Sequence, residues 1–337
     1  MQHLANQSIQ LVVTSPPYPM IDMWDGLFSR MSASAAEAIK NGNGARAFDA
    51  MHRELDMVWK ELWRVLVPGG IACINIGDAT RRVGDDFRLY ANHSRIISGM
   101  EALGFASLPL IHWRKTTNAP TKFMGSGMLP SAAYVTLEHE YILIFRKGGI
   151  RRFNAAESAM RRESAIFWEE RNAWFSDLWQ LAGSRQALGK SRERSAAFPF
   201  ELAFRLVLMH SIKGDTVLDP FVGTGTTLYA AGACERSSIG IEIEPELTLL
   251  IARDFDKGSA LGRERNRQRL MDHNIFVQKR IAQGKIPKHH NKHHDVQVVT
   301  SQEREMKISM VSAVKRTTDR AVMSYEDLPV PTSLGNQ

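Results

Sequence analysis

The sequence predicts an α/β fold with a mostly parallel sheet that is covered by helices on both faces. Three observations support this prediction. Apolar runs of strand length alternate with segments of helical spacing, the connections between them are short, and one strand passes into a helix through a glycine turn. Parallel strands need crossover helices, and these helices then cover the sheet.

Composition narrows the class of protein. The chain has 337 residues, of which 44% are hydrophobic, and a formal charge of +7. Two explanations of this charge are about equally good: a polyanionic partner such as nucleic acid, or a basic surface that is simply solvated. Cys73 and Cys234 stand in apolar contexts and are predicted to be buried thiols, neither a disulfide nor a zinc site. No apolar run approaches the roughly 20 residues that cross a bilayer, so we expect a cytoplasmic protein.

The N-terminal half supplies the first elements of the sheet. Residues 10–14 are predicted to form a short buried strand, and residues 30–47, which are small and polar, a flexible connection. Apolar residues at helical spacing predict a helix over residues 48–65, which the sequence VPGG ends. Residues 71–77, 107–115 and 140–148 are the next predicted strands, with a helix that ends near Gly104 between the first two.

The C-terminal half repeats the pattern. Residues 198–211 predict an apolar helix, and residues 215–231 read as strand, glycine turn and helix. A further strand follows from residue 237 and has an acidic end. Between the halves, arginines and aromatic residues interleave over residues 150–194 without a clear period, as in surfaces that grip a nucleic acid backbone and stack on bases. The aromatic residues are Trp168, Trp174, Phe175 and Trp179.

The glycine turn predicts a ligand site. Gly223 and Gly225 follow a strand and precede a helix, where free amide hydrogens and the absence of side chains allow a ligand close approach. The turn has neither the lysine of a Walker loop nor the third glycine of a dinucleotide fingerprint. Asp219 suits an ammonium group, and Glu242, at the end of the next strand, suits ribose hydroxyls. A ligand with an amino group, a ribose and no phosphate fits this arrangement, and S-adenosylmethionine is such a ligand.

These motifs resemble those of the DNA amino-methyltransferases in their circularly permuted beta arrangement. That family carries a catalytic [S/N/D]-P-P-Y motif first, a target-recognition region in the middle and a D-P-F-x-G-x-G cofactor motif late. The chain has TSPPY at residues 14–18, a basic middle region, and DPFVGTGTT at residues 219–227. The resemblance implies a Rossmann-like, seven-stranded-type S-adenosylmethionine-dependent methyltransferase domain over residues 1–254. It leaves residues 150–194 as an inserted target-recognition region and residues 255–337 as a basic, mainly helical extension.

The resemblance also assigns roles to residues. It implies that the catalytic residues are Ser15, Pro16, Pro17 and Tyr18. The cofactor-binding residues would be Asp219, Pro220, Phe221, Gly223, Gly225, Thr226, Glu242, Ser195, Phe198 and Pro199. The basic residues expected to contact DNA are Lys122, Arg151, Arg152, Arg161, Arg162, Lys190, Arg192 and Arg194. No metal is expected, and the histidines at residues 289–294 are read as a solvated or phosphate-contacting stretch.

The SPPY motif suggests a mechanism. An exocyclic amino group is a poor nucleophile, and two acceptors aimed at its hydrogens would free its lone pair for a methyl group. Ser15 could supply its hydroxyl and Pro16 its carbonyl, while Tyr18 would stack on a base flipped out of double-stranded DNA. Serine in the first position goes mostly with cytosine in the family, so cytosine N4 is the expected target.

Several alternatives stay open at this level. Adenine amino methylation is one, and a non-catalytic basic DNA-binding protein with a degenerate fold is another. A cognate restriction endonuclease, a homodimer and association with the nucleoid are further expectations. Family members also carry a strand ahead of the catalytic strand, and MQHLANQSIQLVV at the start of this chain has no such strand. A misplaced start, a truncation, or another segment in that sheet position would each explain this.

Overall fold

A computed structural model describes residues 1–115, 124–183, 198–317 and 319–328 of the chain. Two compact units make up the chain. Unit 1 comprises Met1–Ile150 and Asp177–Pro199, and unit 2 comprises Arg151–Ser176 and Phe200–Gln337. Both units combine helices with strands, which confirms the predicted α/β class.

Unit 1 contributes five neighbouring strands to a sheet, together with a set of helices. Its helices are α1 (Asp25–Met31), α2 (Ala33–Lys40), α3 (Gly44–Val65) and α4 (Asn92–Ala102). Its strands are β1 (Ile9–Thr14), β2 (Leu66–Ile76), β3 (Ala79–Val83), β4 (Asp86–Tyr90), β5 (Phe105–Lys115), β6 (Met124–Gly125), β7 (Ala133–Tyr134), β8 (His139–Lys147) and β9 (Leu178–Leu181). The five sheet strands run in the order β1-β2-β8-β5-β9. The pairs β1/β2 and β5/β9 are parallel, whereas β8 is antiparallel to both neighbours.

The centre of this sheet is apolar because its strands are covered on both faces. Leu11 and Val12 of β1 are 0% exposed, although they point to opposite sides. The amphipathic helix α3 buries a stripe that includes Met51, Leu55 and Leu62. These are the elements in which apolar periodicity was strongest in the sequence.

The segment predicted as a flexible connection is helical instead. Residues 30–47 contain the end of α1, all of α2 and the start of α3. The side chain of Ser32 caps α2 by accepting from the amide of Ala35 at 3.4 Å, and Ala35 and Ala38 are 0% and 1% exposed. Alanine is a strong helix former, and its small side chain lets α2 pack closely on α3. The turn sequence VPGG likewise lies inside β2, since this strand begins at Leu66.

Unit 2 carries the glycine turn. Its helices are α5 (Ala155–Glu163), α6 (Trp168–Trp174), α7 (Phe200–His210), α8 (Thr226–Ala233) and α9 (Pro245–Ala282). Its strands are β10 (Thr216–Asp219), β11 (Ser237–Gly240), β12 (His289–His290), β13 (Gln297–Val298), β14 (Ser309–Arg316) and β15 (Ala321–Asp327). Strands β10 and β11 are parallel, and β14 and β15 form an antiparallel pair.

The C-terminal part differs from the predicted extension. The helix α9 runs without a break through the expected boundary after residue 254, and the described residues after Ala282 form four strands and one short 3-10 helix, Ser301–Glu303. Residues from this part also form a buried cluster with Phe167. Its members include Leu270, Val298, Met306, Ile308 and Leu328. Their apolar side chains are scattered among charges in the sequence, so only the folded chain brings them together.

Two other predictions concern the cysteines and the absence of membrane-spanning segments. Cys73 and Cys234 are free and buried, as expected, and burial raises the pKa of the Cys234 thiol to about 11. Across the described ranges, no helix combines the length and the apolar character that a membrane span requires.

Candidate active site

The SPPY motif directly follows strand β1 in unit 1. Proline cannot donate a hydrogen bond to a sheet, so Pro16 and Pro17 end the strand and restrict the backbone beside Ser15. Ser15 is half-buried, both prolines are buried, and Tyr18 is 7% exposed. The four predicted catalytic residues therefore lie together at the carboxyl end of a buried strand, where open α/β sheets bind ligands.

A hydrogen-bond network continues from this motif into the sheet. The Ser15 hydroxyl donates to Tyr18 Oη at 3.1 Å, and the Tyr18 hydroxyl donates to Glu140 Oε2 at 2.8 Å. Asn75 Nδ2 donates to Tyr18 Oη and to Glu140 Oε2, both at 2.8 Å. The Lys115 ammonium pairs with Glu140 Oε1. Burial, and after it the Glu140 charge, raises the pKa of Tyr18 well above its ordinary value.

The partners of Tyr18 were missed in the sequence. Asn75, Lys115 and Glu140 come from β2, β5 and β8, and each is a polar residue near an end of an apolar strand. A polar residue at the end of an apolar strand was therefore the sequence signal that could have revealed them. The ring of Tyr18 also lies close to Gly77, where a Cβ would be 3.1 Å from Tyr18 Cε2. A ring so nearly buried offers little face to a stacking base, so we assign Tyr18 to the network and do not retain base stacking as its role.

A second group of side chains lies near the same strand ends. The ring of His93 stacks on Tyr141 with centroids 4.0 Å apart, and its Nδ1 lies 2.8 Å from Asp78 Oδ2. His112 and His139 contact each other edge to face. Burial and the neighbouring His112 lower the pKa of His139. None of these residues was predicted from the sequence.

The glycine turn of unit 2 connects β10 to α8. Gly223 and Gly225 have φ values of +55° and +89°, which glycine adopts without strain. At Gly223 the nearest atom to an added Cβ would be the Phe221 carbonyl oxygen, 3.9 Å away, so the turn is open on this side. Gly225 caps α8, where the amide of Tyr229 donates to its carbonyl at 3.1 Å.

The buried carboxylate of Asp219 holds this turn in place through hydrogen bonds. It is 2% exposed, and its two oxygens accept from the amide of Phe221 at 3.0 Å and from the Thr227 hydroxyl at 2.6 Å. The expected contact of Asp219 with an ammonium group stays a prediction. What the geometry adds is a structural role, because the carboxylate fixes both ends of the turn.

Glu242 lies just beyond β11 and faces the turn. Its Oε2 accepts from the Gly223 amide at 2.9 Å, and its Oε1 accepts from the amides of Ile243 and Glu244, each at 3.0 Å. A carboxylate has about four acceptor positions, so three are filled and one remains for a donor such as a ribose hydroxyl. Together with the open side at Gly223, this arrangement fits S-adenosylmethionine.

The other predicted cofactor residues have varied environments. Pro220 is buried, Phe221 and Thr226 are half-buried, Phe198 is 6% exposed and Pro199 is half-buried. Ser195 lies outside the described residues. Their contacts with a cofactor stay predictions.

The described basic residues that were expected to contact DNA are either ion-paired within the protein or exposed. Arg151, predicted to contact DNA, donates to Asp215 at 2.7 Å and to Glu157 at 3.1 Å, and its side chain is only 18% exposed. Its charge is thus neutralised within unit 2, which argues against that prediction. Arg152, Arg161 and Arg162 are exposed, whereas Lys122, Lys190, Arg192 and Arg194 lie outside the described residues.

The aromatic residues of this region are also of two kinds. Trp174 and Trp179 are 2% and 1% exposed, so they pack in the interior and cannot stack on bases as expected. Trp168 and Phe175 are 37% and 48% exposed. In the histidine-rich stretch, His294 is buried and its Nε2 accepts from the Ile308 amide at 2.8 Å, contrary to the solvated reading.

The chain is similar to known DNA methylases. A family model for DNA methylases of the N6/N4 class matches residues 9–253. The type II methyltransferase M.MthZI of Methanothermobacter thermautotrophicus is 50% identical over 313 residues, covering 91% of this chain and 87% of its own. The type II methyltransferase M.MjaI of Methanocaldococcus jannaschii is 50% identical over 74% of this chain and 86% of its own.

A solved structure is similar as well. The proposed DNA modification methylase TTHA0409 of Thermus thermophilus, in complex with S-adenosyl-L-methionine, is 33% identical with a TM-score of 0.59. The match covers 76% of this chain and 89% of that protein.

Proposed function

The chain belongs to the DNA methylase family of the N6/N4 class, and from this premise we propose that it methylates the exocyclic N4 amino group of cytosine within a short DNA sequence. The observation that carries the choice of cytosine is Ser15 in the first position of SPPY, since serine there resembles the cytosine-directed members. Adenine N6 is the alternative, because the family includes both kinds of amino group. The permuted motif order is a further part of this proposal.

S-adenosylmethionine is the cofactor of this methyltransferase. It supplies an electrophilic methyl group on a positively charged sulfur. We propose that Glu242 accepts from its ribose and that the open side of the turn at Gly223 receives it. Asp219, Pro220, Phe221, Gly225, Thr226, Phe198 and Pro199 complete the proposed cofactor site.

Ser15 and Pro16 prepare the amino group for transfer. The nitrogen lone pair of cytosine N4 is delocalised into the ring, and acceptors aimed at its two hydrogens favour a tetrahedral nitrogen. The Ser15 hydroxyl oxygen and the Pro16 carbonyl are these acceptors in our proposal. As positive charge develops on the nitrogen, both hydrogen bonds strengthen, so they stabilise the transition state more than the ground state.

The target base must leave the DNA stack to reach these acceptors. Arg152, Arg161 and Arg162 expose guanidinium groups on unit 2, and we propose that they contact phosphates of double-stranded DNA. The type II methyltransferases to which the chain is similar support a role in restriction and modification. A cognate endonuclease is part of the proposal.

Nucleoside analysis tests this function. Unmethylated plasmid DNA is incubated with the protein and isotopically labelled S-adenosylmethionine, digested to nucleosides and analysed by mass spectrometry. We expect labelled N4-methylcytosine with wild type and none with Ser15→Ala, whereas Ser98→Ala, an exposed serine on α4, serves as the matched control. Labelled N6-methyladenine would assign the adenine alternative, and no labelled nucleoside would refute methyl transfer to DNA.

A further inference from the structure

Glu140 is the acidic member of the hydrogen-bond network beside the SPPY motif. Its side chain and that of Lys115 are each 13% exposed, so their ion pair is largely shielded from water. Lys115 also lies over the ring of Trp113, 4.7 Å from its centroid. A charged pair that is this well enclosed has a fixed geometry and directs the groups bonded to it.

The chemistry of the partners fixes the direction of every hydrogen bond. An ionised carboxylate only accepts, and an ammonium or an amide NH2 group only donates. Tyr18 has one hydroxyl hydrogen, and Glu140 Oε2, at 2.8 Å, is the acceptor that takes it. Because this hydrogen is committed to Glu140, Tyr18 Oη can only accept from its other partners. One of these bonds comes from the Asn75 NH2 group, and the other must come from the hydroxyl hydrogen of Ser15.

This direction has a consequence for Ser15. A free hydroxyl can donate or accept, and its hydrogen rotates to suit its neighbours. With its hydrogen committed to Tyr18, Ser15 Oγ has only lone pairs left for a third group. An amino group that needs an acceptor then meets one that is already oriented, without reorganisation during the reaction.

We propose that Glu140 is a positioning residue that, through Tyr18, makes Ser15 a dedicated hydrogen-bond acceptor for the target amino group. This inference rests on the proposed function of Ser15. Burial and the Glu140 charge keep the Tyr18 pKa high, so its hydroxyl hydrogen stays available to the relay near neutral pH. Glu140 touches neither substrate nor cofactor in this scheme, and its effect is confined to the direction of two hydrogen bonds.

Glu140→Gln reverses the relay with little change in size. The glutamine oxygen must face Lys115, so its NH2 group faces Tyr18 and donates to it. Asn75 must be replaced as well, because its amide also bonds to Glu140 Oε2 and would turn to accept from both the glutamine and Tyr18. All Glu140→Gln variants of this test therefore carry Asn75→Leu, and the Asn75→Leu protein is their reference. In this background Tyr18 donates to Ser15, and Ser15 presents a hydrogen to the amino group. We expect the single-turnover rate at saturating DNA and S-adenosylmethionine to fall about 10- to 100-fold, the range of a hydrogen bond to a charged group. Affinities for both ligands should stay within about twofold of wild type.

The double variant Glu140→Gln/Lys115→Met provides the decisive readout. Without Lys115, the glutamine oxygen can turn to Tyr18 and accept again, which restores the original direction. We expect its rate to recover at least about fivefold over Glu140→Gln, whereas two merely structural lesions would add. Glu138→Gln is the matched control, because Glu138 pairs with the exposed Arg114 just before β8 and its variant should keep the wild-type rate.

Each outcome decides the proposal. A rate for Glu140→Gln within about twofold of its Asn75→Leu reference, or a loss without recovery after Lys115→Met is added, overturns it. Should Glu140→Gln fail to fold by circular dichroism, Tyr18→Phe takes its place, since it removes the middle of the relay, and a wild-type rate would overturn the proposal. A wild-type protein that methylates no DNA refutes the proposed function instead, and a wild type that methylates adenine changes the base but leaves the relay testable.

Discussion

The carboxylate of Glu242 accepts a hydrogen bond of 2.9 Å from the amide of Gly223. This contact ties the segment after β11 to the turn between β10 and α8. A residue that contacts a ligand and also holds the loop around it affects binding in two ways when it is replaced. This relationship makes the cofactor half of the site testable by substitution.

Glu242→Gln should weaken S-adenosylmethionine binding about 10- to 100-fold. The amide has one oxygen, so an NH2 group must face either the Gly223 amide or the amides of Ile243 and Glu244. Titration calorimetry with S-adenosylmethionine measures the loss. Glu246→Gln, an exposed acid in the first turn of α9, is the control. Equal affinity in Glu242→Gln and wild type would refute the assigned role.

Gly223→Ala should bind the cofactor poorly while remaining folded. Its φ of +55° strains an alanine by about 1–2 kcal/mol, and the new methyl group projects into the open side of the turn. Gly284→Ala is a matched control, because Gly284 has φ of +74° and an added Cβ there would meet no atom within 4 Å, against one ordinary contact of 3.9 Å at Gly223. Both variants should show a similar small loss of stability by thermal unfolding. If both bind S-adenosylmethionine equally well, the turn is not the cofactor site.

The exposed arginines of unit 2 should control the salt dependence of DNA binding. Neutralising Arg161 and Arg162 together to glutamine should reduce the slope of log K against log salt by about 0.9 for each lost phosphate contact. Fluorescence anisotropy with a labelled duplex at several salt concentrations measures this slope. Arg151→Gln, in contrast, should mainly lower stability, because Arg151 is paired with Asp215 and Glu157. A slope unchanged in the double variant would show that Arg161 and Arg162 are not part of the DNA-binding surface.

Buried histidines should make the fold sensitive to acid. Burial lowers the pKa of His52 to about 4, and the same holds for His210 and His294. Between about pH 6.5 and 4 the unfolded chain binds protons that the folded chain does not, so stability is full above this window and falls as pH falls through it. Each histidine contributes up to about 1.4 kcal/mol per pH unit.

Denaturant unfolding at several pH values measures this slope. His52→Gln should remove one histidine's share, since it replaces a titrating ring with a neutral amide. The exposed His3 gives the control variant His3→Gln, which should keep the wild-type slope. Identical slopes in all three proteins would contradict the assignment of His52.

The buried ion pair of Arg269 and Glu170 should matter more when it is broken than when it is replaced. Arg269 Nε and Nη2 donate to the two Glu170 oxygens at 2.6 and 2.8 Å, and Arg269 is 4% exposed. Arg269→Met leaves the buried Glu170 carboxylate without its counterion and should lower the free energy of unfolding by about 3–5 kcal/mol. Adding Glu170→Met should recover part of the lost free energy of unfolding. Denaturant unfolding measures both changes. Arg46→Met, which breaks the exposed ion pair of Arg46 with Glu37, is the control and should leave the unfolding midpoint unchanged.

Strong periodicity explains which parts of the fold were predictable. The strand β1 is a continuous apolar run and the helix α3 has a long apolar pattern of one period, and both were predicted within a few residues. Residues 30–47 carry small residues that suit either a loop or a helix. Their packing against α3 decides in favour of the helix, and that packing is a tertiary effect.

The candidate site shows the same division. The motifs SPPY and DPFVGTG could be recognised because each is local in sequence. The residues that hold SPPY in place are distant in sequence: Glu140 is 122 positions from Tyr18, and Asn75 is 57 positions from it. A sequence shows that a polar residue follows an apolar strand, but not which other strand end it meets in space.

The hydroxyl of Tyr18 also links positions of the chain that would otherwise vary independently. Phenylalanine in its place would leave the amide of Asn75 and the carboxylate of Glu140 facing a hydrocarbon ring in a nearly dry environment. Across relatives, we therefore expect the fourth residue of the motif to change together with the residues at positions 75 and 140. The three columns of an alignment would then evolve as one unit, and grafting the four-letter motif alone onto another scaffold would not transfer its chemistry.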